Sequence, residues 1–272
     1  MGGEVRFHGT APFRAAAIHG GPGAPGSAAG LARLMAHWCG TLEPFQTGNS
    51  IAEQIEELAG QLRAHARLPV TLAGHSWGAL LAVLTAERYP ELAAKLILVG
   101  CPPLEERFVP CIAARRRARL APGEQREFDR LAAALESGEG PEEERATLLG
   151  KLGALAERAD ARELLPETAP ALPVNGEQYA AVWREAVEMR RSGELLRRFR
   201  SPRTPVVLIQ GEMDPHPAEG VTEPLRGSGV AFRCRLLPEC GHTPWRERFA
   251  AEAFRRLLAD ELAQSAGEKG EC

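Results

Sequence analysis

The run Pro69-Val70-Thr71-Leu72-Ala73-Gly74-His75-Ser76-Trp77-Gly78, followed by Ala79-Leu80-Leu81-Ala82-Val83-Leu84-Thr85-Ala86-Glu87-Arg88, decides how this chain is read. An apolar strand-like stretch ends in G-x-S-x-G, and a helix-compatible stretch begins on its far side. That arrangement is a nucleophile elbow, a sharp strand-to-helix turn that lifts a serine hydroxyl above the end of a sheet. Glycines flank the serine because side chains at those positions would collide with neighbouring backbone. With 28 glycines and 8 serines in 272 residues, chance produces the pattern only about 0.1 times, before its context is required. Ser76 is the candidate nucleophile.

A serine hydroxyl is a weak nucleophile unless a histidine takes its proton and a carboxylate holds that imidazole in the right tautomer. After an elbow, the expected chain order is serine, then acid, then histidine. Only two histidines follow Ser76, at 216 and 242. The aspartates between Ser76 and His242 are 129, 160 and 214. Of these, Asp214 alone sits just after a strand-like run, in Gly211-Glu212-Met213-Asp214, where a tight exit suits a strand-end carboxylate. Glu212 is a minor rival for that role. His242, in Cys240-Gly241-His242, follows the next strand-like run and is the candidate general base. His216, two residues after Asp214, is read as poorly placed to receive that carboxylate and is assigned to the pocket rim. The expected geometry has Ser76 Oγ within hydrogen-bond reach of His242, and Asp214 behind the imidazole.

Acyl transfer also requires donors for an oxyanion. One is the backbone N–H of the residue after the nucleophile, Trp77. A second is expected from His19-Gly20-Gly21-Pro22-Gly23, where glycines permit close backbone approach to a substrate; Gly21 is the first choice and Gly20 the fallback. The same loop holds neither G-x-G-x-x-G nor a lysine-bearing phosphate loop.

Around the elbow, strand-like and helical runs alternate, which predicts an α/β fold with a mainly parallel sheet and helices on both faces. Strands are expected at Phe13–Ile18, Lys95–Val99, Pro205–Ile209 and Phe232–Leu237, besides the elbow strand. Helices are expected over Ala28–Trp38, Ile51–Ala66 and Ala250–Leu262, with Ser265–Cys272 as a frayed tail. Ser50 and Glu53 form a capping-box pattern at the start of the second helix. Between Cys101 and Pro202 strand signals vanish, and Pro122, Pro141, Pro166, Pro170 and Pro173 divide a Glu-, Arg-, Ala- and Leu-rich segment into about four helical pieces. Residues 1–101 and 202–272 are thus expected to form the core, and 102–201 an inserted helical cap. Arg115-Arg116-Arg117 and Glu142-Glu143-Glu144 are expected on solvated helix faces. Tyr179, Trp183 and Met189 either line the pocket or pack inside the insertion.

Bulk properties narrow the partners. A net charge of −3 provides no basic surface for nucleic acid, and no stretch approaches the roughly 20 apolar residues that span a bilayer. The six cysteines, at 39, 101, 111, 234, 240 and 272, form no C-x-x-C pair and no metal-ligand spacing. No signal-peptide pattern opens the chain, so reduced thiols and a cytoplasmic location are expected, with a small-molecule substrate, no cofactor and no metal.

With HGGPG, GHSWG, the aspartate of GEMD and the histidine of CGH in this order, the chain resembles the α/β-hydrolase family. HGGPG and the Ser-Trp-Gly of the elbow are especially similar to proline iminopeptidases, the aminopeptidase branch of that superfamily. The resemblance covers about residues 13–101 and 202–262. It implies Ser76 as nucleophile, His242 as general acid and base, Asp214 as its orienter, and Gly21 and Trp77 as oxyanion donors. Only about a dozen residues precede the HG loop, so the sheet is expected to lack one or both leading strands of the family. The leading expectation is a serine hydrolase acting on a small ester, amide or thioester. An aminopeptidase, a C–C bond hydrolase using the same triad, and a non-catalytic binding protein that kept the fold are the alternatives. Iminopeptidases hold the substrate's free amine with acidic residues of the cap, and the glutamates here fall in no matching motif.

Overall fold

The computed structural model describes residues 4–137, 141–166 and 172–267. Its frame is a seven-stranded sheet: β1 (Val5–His8), β2 (Phe13–Ile18), β3 (Gly40–Pro44), β4 (Val70–His75), β5 (Ala93–Val99), β6 (Val206–Gly211) and β7 (Phe232–Leu237), in the spatial order β1-β3-β2-β4-β5-β6-β7. Every neighbouring pair is parallel except β1 with β3. β1 is the one leading strand. Its alternating Val5-Arg6-Phe7-His8 is short and half-exposed, which left no apolar run to announce it. β3 was equally hidden, because Gly40 and Pro44 bound it and Thr41 and Glu43 lie inside it, all buried.

The central strands carry apolar side chains on both faces, as a sheet covered on both sides requires. Ala16, Ile18, Leu72, Leu96, Leu98 and Leu208 point to one layer, with α2 (Ile51–His65), α3 (Trp77–Arg88), α8 (Glu194–Phe199) and α9 (Glu219–Leu225). Their chain neighbours Ala15, Ala17, Ala73, Ile97, Val99 and Ile209 point to the other, with α1 (Ala29–Met35) and α10 (Ala251–Gly267). The strand period of two therefore sorts each strand into two cores. α2 begins as expected: the Glu53 N–H donates to Ser50 Oγ at 3.2 Å, and the Glu53 carboxylate accepts from the Ser50 N–H. α10 runs to Gly267, so Ser265–Gly267 extend the last helix; residues 268–272, with Cys272, lie outside the described residues.

Five helices lie between β5 and β6 among the described residues, one more than the proline spacing predicts: α4 (Val109–Arg119), α5 (Pro122–Ser137), α6 (Glu142–Asp160), α7 (Gly176–Arg191) and α8. Pro122 starts α5 and Pro141 caps α6, where a missing N–H costs nothing. Pro170 lies outside the described residues. Leu120, Leu131, Leu155 and Ala159 form a small core of their own within the insertion. No helix among the described residues is long and apolar enough to cross a membrane.

Candidate active site

Ser76 sits between β4 and α3 with φ 52° and ψ −118°, the left-handed conformation that L-residues rarely adopt. Such a residue costs about 1–3 kcal/mol, held in place by its surroundings. Here those surroundings are the flanking glycines. A Cβ on Gly74 would stand 2.1 Å from the Gly78 carbonyl oxygen, and one on Gly78 would stand 2.3 Å from that of Ile18. The Ser76 N–H donates to the Val99 carbonyl at 2.9 Å, fixing the turn to the end of β5. Ser76 Oγ itself makes no hydrogen bond among the described residues, to His242 or to any other side chain.

Asp214 follows β6 and is 1 % exposed. Its Oδ2 accepts from His242 Nδ1 at 2.8 Å and from Gln210 Nε2 at 3.0 Å. Its Oδ1 accepts from the His216 N–H at 2.9 Å and from His216 Nδ1 at 3.1 Å. The reading of His216 as poorly placed for this carboxylate is therefore corrected, while its place on a pocket wall stands. Placed two residues on, it folds back so that backbone and ring both donate to one carboxylate oxygen. Glu212, by contrast, is exposed, which leaves Asp214 as the carboxylate on His242.

Burial alone would push the Asp214 carboxyl up, but the His242 charge and the two imidazole donors outweigh it and hold the group well below the usual carboxylate range. Burial alone would lower His242; the Asp214 charge and hydrogen bond outweigh it and raise its pKa. An ionised Asp214 is acceptor-only, so both histidines present Nδ1–H to it and keep Nε2 as a lone pair.

The His242 ring lies between two other imidazoles. His75 and His216 each approach it with ring centroids 4.6 Å apart. His75 Nε2–H donates to the His242 carbonyl at 2.9 Å, while its Nδ1 is buried without a partner beneath Gly20. Burial first, and the nearby His242 second, lower the His75 pKa to about 3, so its ring is neutral at pH 7. Gly20 must be glycine at this spot: a Cβ there would come within 2.8 Å of His75 Nδ1 and 3.2 Å of Ser76 Cβ. The HGGPG loop thus passes directly over the elbow. Neither the Gly21 nor the Trp77 N–H is taken by an acceptor among the described residues. The Trp77 indole points away and donates to Gln54 Oε1 at 2.9 Å.

The inserted helices reach this centre from several sides. The Asn175 N–H, at the start of α7, donates to the Gly23 carbonyl at 2.8 Å. Arg115 Nη1 donates to the Asp214 carbonyl at 3.1 Å. Arg116 forms a two-pronged ion pair with Asp160, both contacts at 2.6 Å, and the His242 N–H donates to the Asp160 carbonyl at 2.9 Å. Arg116 is therefore packed against the site, whereas Arg115 and Arg117 keep the exposed position expected of all three, Arg115 reaching the Asp214 carbonyl from it. Glu143 and Glu144 are exposed as expected, and Glu142 lies outside the residues whose side chains are described.

Two further residues escaped the sequence reading. Gln210 braces Asp214 and also donates to the His216 carbonyl at 2.7 Å. Glu247, fully buried, accepts from the Gly241, Arg162 and Glu163 N–H groups at 3.0 Å each, joining the His242 loop to the segment after α6. Neither lies in a motif; only the strand-end position of Gln210 hinted at it. Asp214, His216 and His242 also stand close enough to share a cation, with ligand atoms within 4.8 Å of one another. Their lone hydrogens already satisfy the carboxylate, and Arg116 lies beside them.

A cavity of about 310 Å³ opens beneath the insertion, lined by Pro102 and Pro103, Ile112 and Arg116 of α4, Phe128 of α5, Trp183 and Arg190 of α7, and His216. Trp183 thus lines a pocket beside His216, with Tyr179 stacked on it at 6.2 Å. Met189 lines a different and larger groove, of about 570 Å³, between α2 and α7 and away from Ser76.

No curated protein sequence matches the chain. Among solved structures, VinJ superposes with a TM-score of 0.67 at 18% identity, covering 96% of this chain and 94% of that one. Proline iminopeptidase of Mycobacterium smegmatis gives 0.60 at 17%, covering 96% and 94%. Monoacylglycerol lipase of Paleococcus ferrophilus gives 0.62 at 14%, covering 97% and 100%. At such identities the likeness is one of fold. A family model described as the alpha/beta hydrolase family matches residues 14–256, nearly the whole described chain, and with the sheet order and the elbow it places this protein in that family.

Proposed function

We propose that this chain is a serine hydrolase that cleaves a small ester or thioester through an acyl-enzyme on Ser76. The observation that carries the reading is the His242–Asp214 clamp beside a strained elbow serine whose hydroxyl is uncommitted. His242 Nε2 takes the Ser76 proton as Oγ attacks the substrate carbonyl, and the Gly21 and Trp77 N–H groups receive the developing oxyanion. The imidazolium, stabilised by Asp214, then protonates the leaving group. Water activated by the same Nε2 releases the acid. The serine-to-histidine contact closes when substrate binds; such hydrogen bonds are often long in empty sites. Residues 102–201 act as a lid that selects substrate, consistent with the contacts of Asn175, Arg115 and Asp160 around the centre.

An aminopeptidase needs a free carboxylate to hold the substrate ammonium. The carboxylate lining the cavity beside His216 is Glu106, and it is already held by Arg190 Nε at 2.9 Å and approached by Arg191 at 3.7 Å. Guanidiniums face the remaining space, so an ester or thioester is favoured over an N-terminal amine. The test is turnover of short p-nitrophenyl acyl esters against prolyl-arylamide, with Ser76→Ala as control. Ester turnover lost in the variant supports the reading; prolyl-arylamide turnover without ester turnover overturns it in favour of the peptidase.

A further inference from the structure

Asp214 serves two histidines, and the proposed reaction uses only His242. His216 is held in the same manner as His242, with Nδ1–H on Asp214, and it lines the 310 Å³ cavity that His242 does not. Asp214, ionised and acceptor-only, forces the proton of neutral His216 onto Nδ1. Nε2 then carries the lone pair of a residue that lines that cavity, and no side chain among the described residues donates to it. Burial and the neighbouring His242 lower the His216 pKa, which keeps the lone pair available at neutral pH.

The carboxylate lining the cavity is committed, while the guanidiniums of Arg116, Arg190 and Arg191 face it. Arg116 is paired with Asp160, Arg190 with Glu106, and Glu106 with two guanidiniums. The rest of the wall is apolar: Pro102, Pro103, Ile112, Phe128 and Trp183. At about 30 Å³ for a water-sized group, the volume admits about ten heavy atoms. An ammonium would meet Arg116 and Arg190 without a free carboxylate, so the group that approaches His216 is a neutral donor.

We propose that this cavity binds the acyl portion of the substrate and that His216 Nε2 accepts a hydrogen bond from a hydroxyl on it, making His216 the residue that selects hydroxylated over plain acyl chains. The inference rests on the hydrolase reading only for the word acyl; the binding it describes needs no turnover. Among the lining side chains His216 Nε2 is the acceptor not already held, so a ligand without the donor leaves that atom dry and unpaired.

The test is calorimetric titration of the wild-type chain with 3-hydroxyoctanoate and octanoate, repeated on His216→Phe and His216→Gln, with thermal melts to confirm folding. The expected result is roughly fivefold to tenfold tighter binding of the hydroxy acid. The preference disappears in His216→Phe and is partly kept in His216→Gln, whose amide oxygen can still accept. Should the Phe variant fail to fold, the Gln variant and a change at Val187, which also lines the cavity, carry the test: Val187→Trp fills the space and weakens both acids. Equal wild-type affinity for the two acids, an unchanged preference in His216→Phe or, if that variant does not fold, unchanged affinities in Val187→Trp, or no binding of either acid overturns the proposal. Fluorophosphonate labelling of Ser76 is read separately. Labelling without discrimination defeats this inference alone, and discrimination without labelling defeats the hydrolase reading alone.

Discussion

The sheet and the helices between β5 and β6 are built on different principles, and in the proposed hydrolase the difference separates chemistry from selection. Every residue of β4 is buried, and the strand end delivers Ser76 by a backbone turn that glycine alone allows. In α4 no residue is buried below the surface; the helix is held by arginine contacts to Asp160 and to the Asp214 carbonyl. Close packing fixes atoms to fractions of an ångström, whereas charged side chains spanning two layers leave a surface that can change. In the proposed hydrolase the reacting groups sit at the strand ends, and the cavity that would select the substrate sits among the helices.

Breaking the sheet's side of this division gives the largest effects. Ser76→Ala is expected to lower kcat for the ester by about 10⁶-fold and Asp214→Asn by about 10⁴-fold, with circular dichroism unchanged. Stopped assays on folded variants check both. Next comes packing. Leu72→Ala, in the layer under α3, is expected to lose about 3–5 kcal/mol in urea unfolding. Leu131→Ala, in the small core of the insertion, is expected to lose about 2–3 kcal/mol and to speed amide exchange in α5 and α6 ahead of the sheet. Equal, fully cooperative losses in both would dissolve the comparison.

Glu247 sharpens it, because this one carboxylate ties the two regions together at the His242 loop. Glu247→Gln keeps the size but turns one acceptor oxygen into a donor facing backbone N–H groups. An approximately tenfold fall in kcat with a smaller change in KM is expected, since the base is displaced while the pocket remains. The smallest effect concerns acid. The folded pKa of His75 is lowered to about 3 from 6.5, so the unfolded chain binds the extra proton between those values. Stability contributed by neutral His75 is complete above pH 6.5 and falls as the pH drops toward 3. Asp214, held low in the folded state, adds a loss in the same direction below its ordinary 3.8. In His75→Gln, the slope of Tm against pH between 6.5 and 4 is expected to flatten.

The legibility of the sequence followed the same division. G-x-S-x-G, the strand-end aspartate and the histidine of CGH were visible because backbone geometry restricts those positions to few residue types. The capping box of α2 was visible for the same reason. β1 and β3 were not, since one is half-exposed and the other hides Glu43 inside a buried strand. His216 was misjudged because spacing in sequence says nothing about a ring that turns back on its own loop. Arg116 reads as a solvent-facing charge because nothing in the sequence announces its tertiary partner, Asp160. Glu247 and Gln210 act by bracing others, and bracing leaves no motif.

In the proposed reaction Ser76 is a nucleophile driven by His242 and Asp214. Labelling the folded chain with a fluorophosphonate and mapping the adduct by peptide mass spectrometry tests it most directly. A single adduct on Ser76, formed at least 10³-fold more slowly in Asp214→Asn, is the predicted result. A folded protein that takes no label, or takes it at another residue at the same rate in both chains, would contradict it.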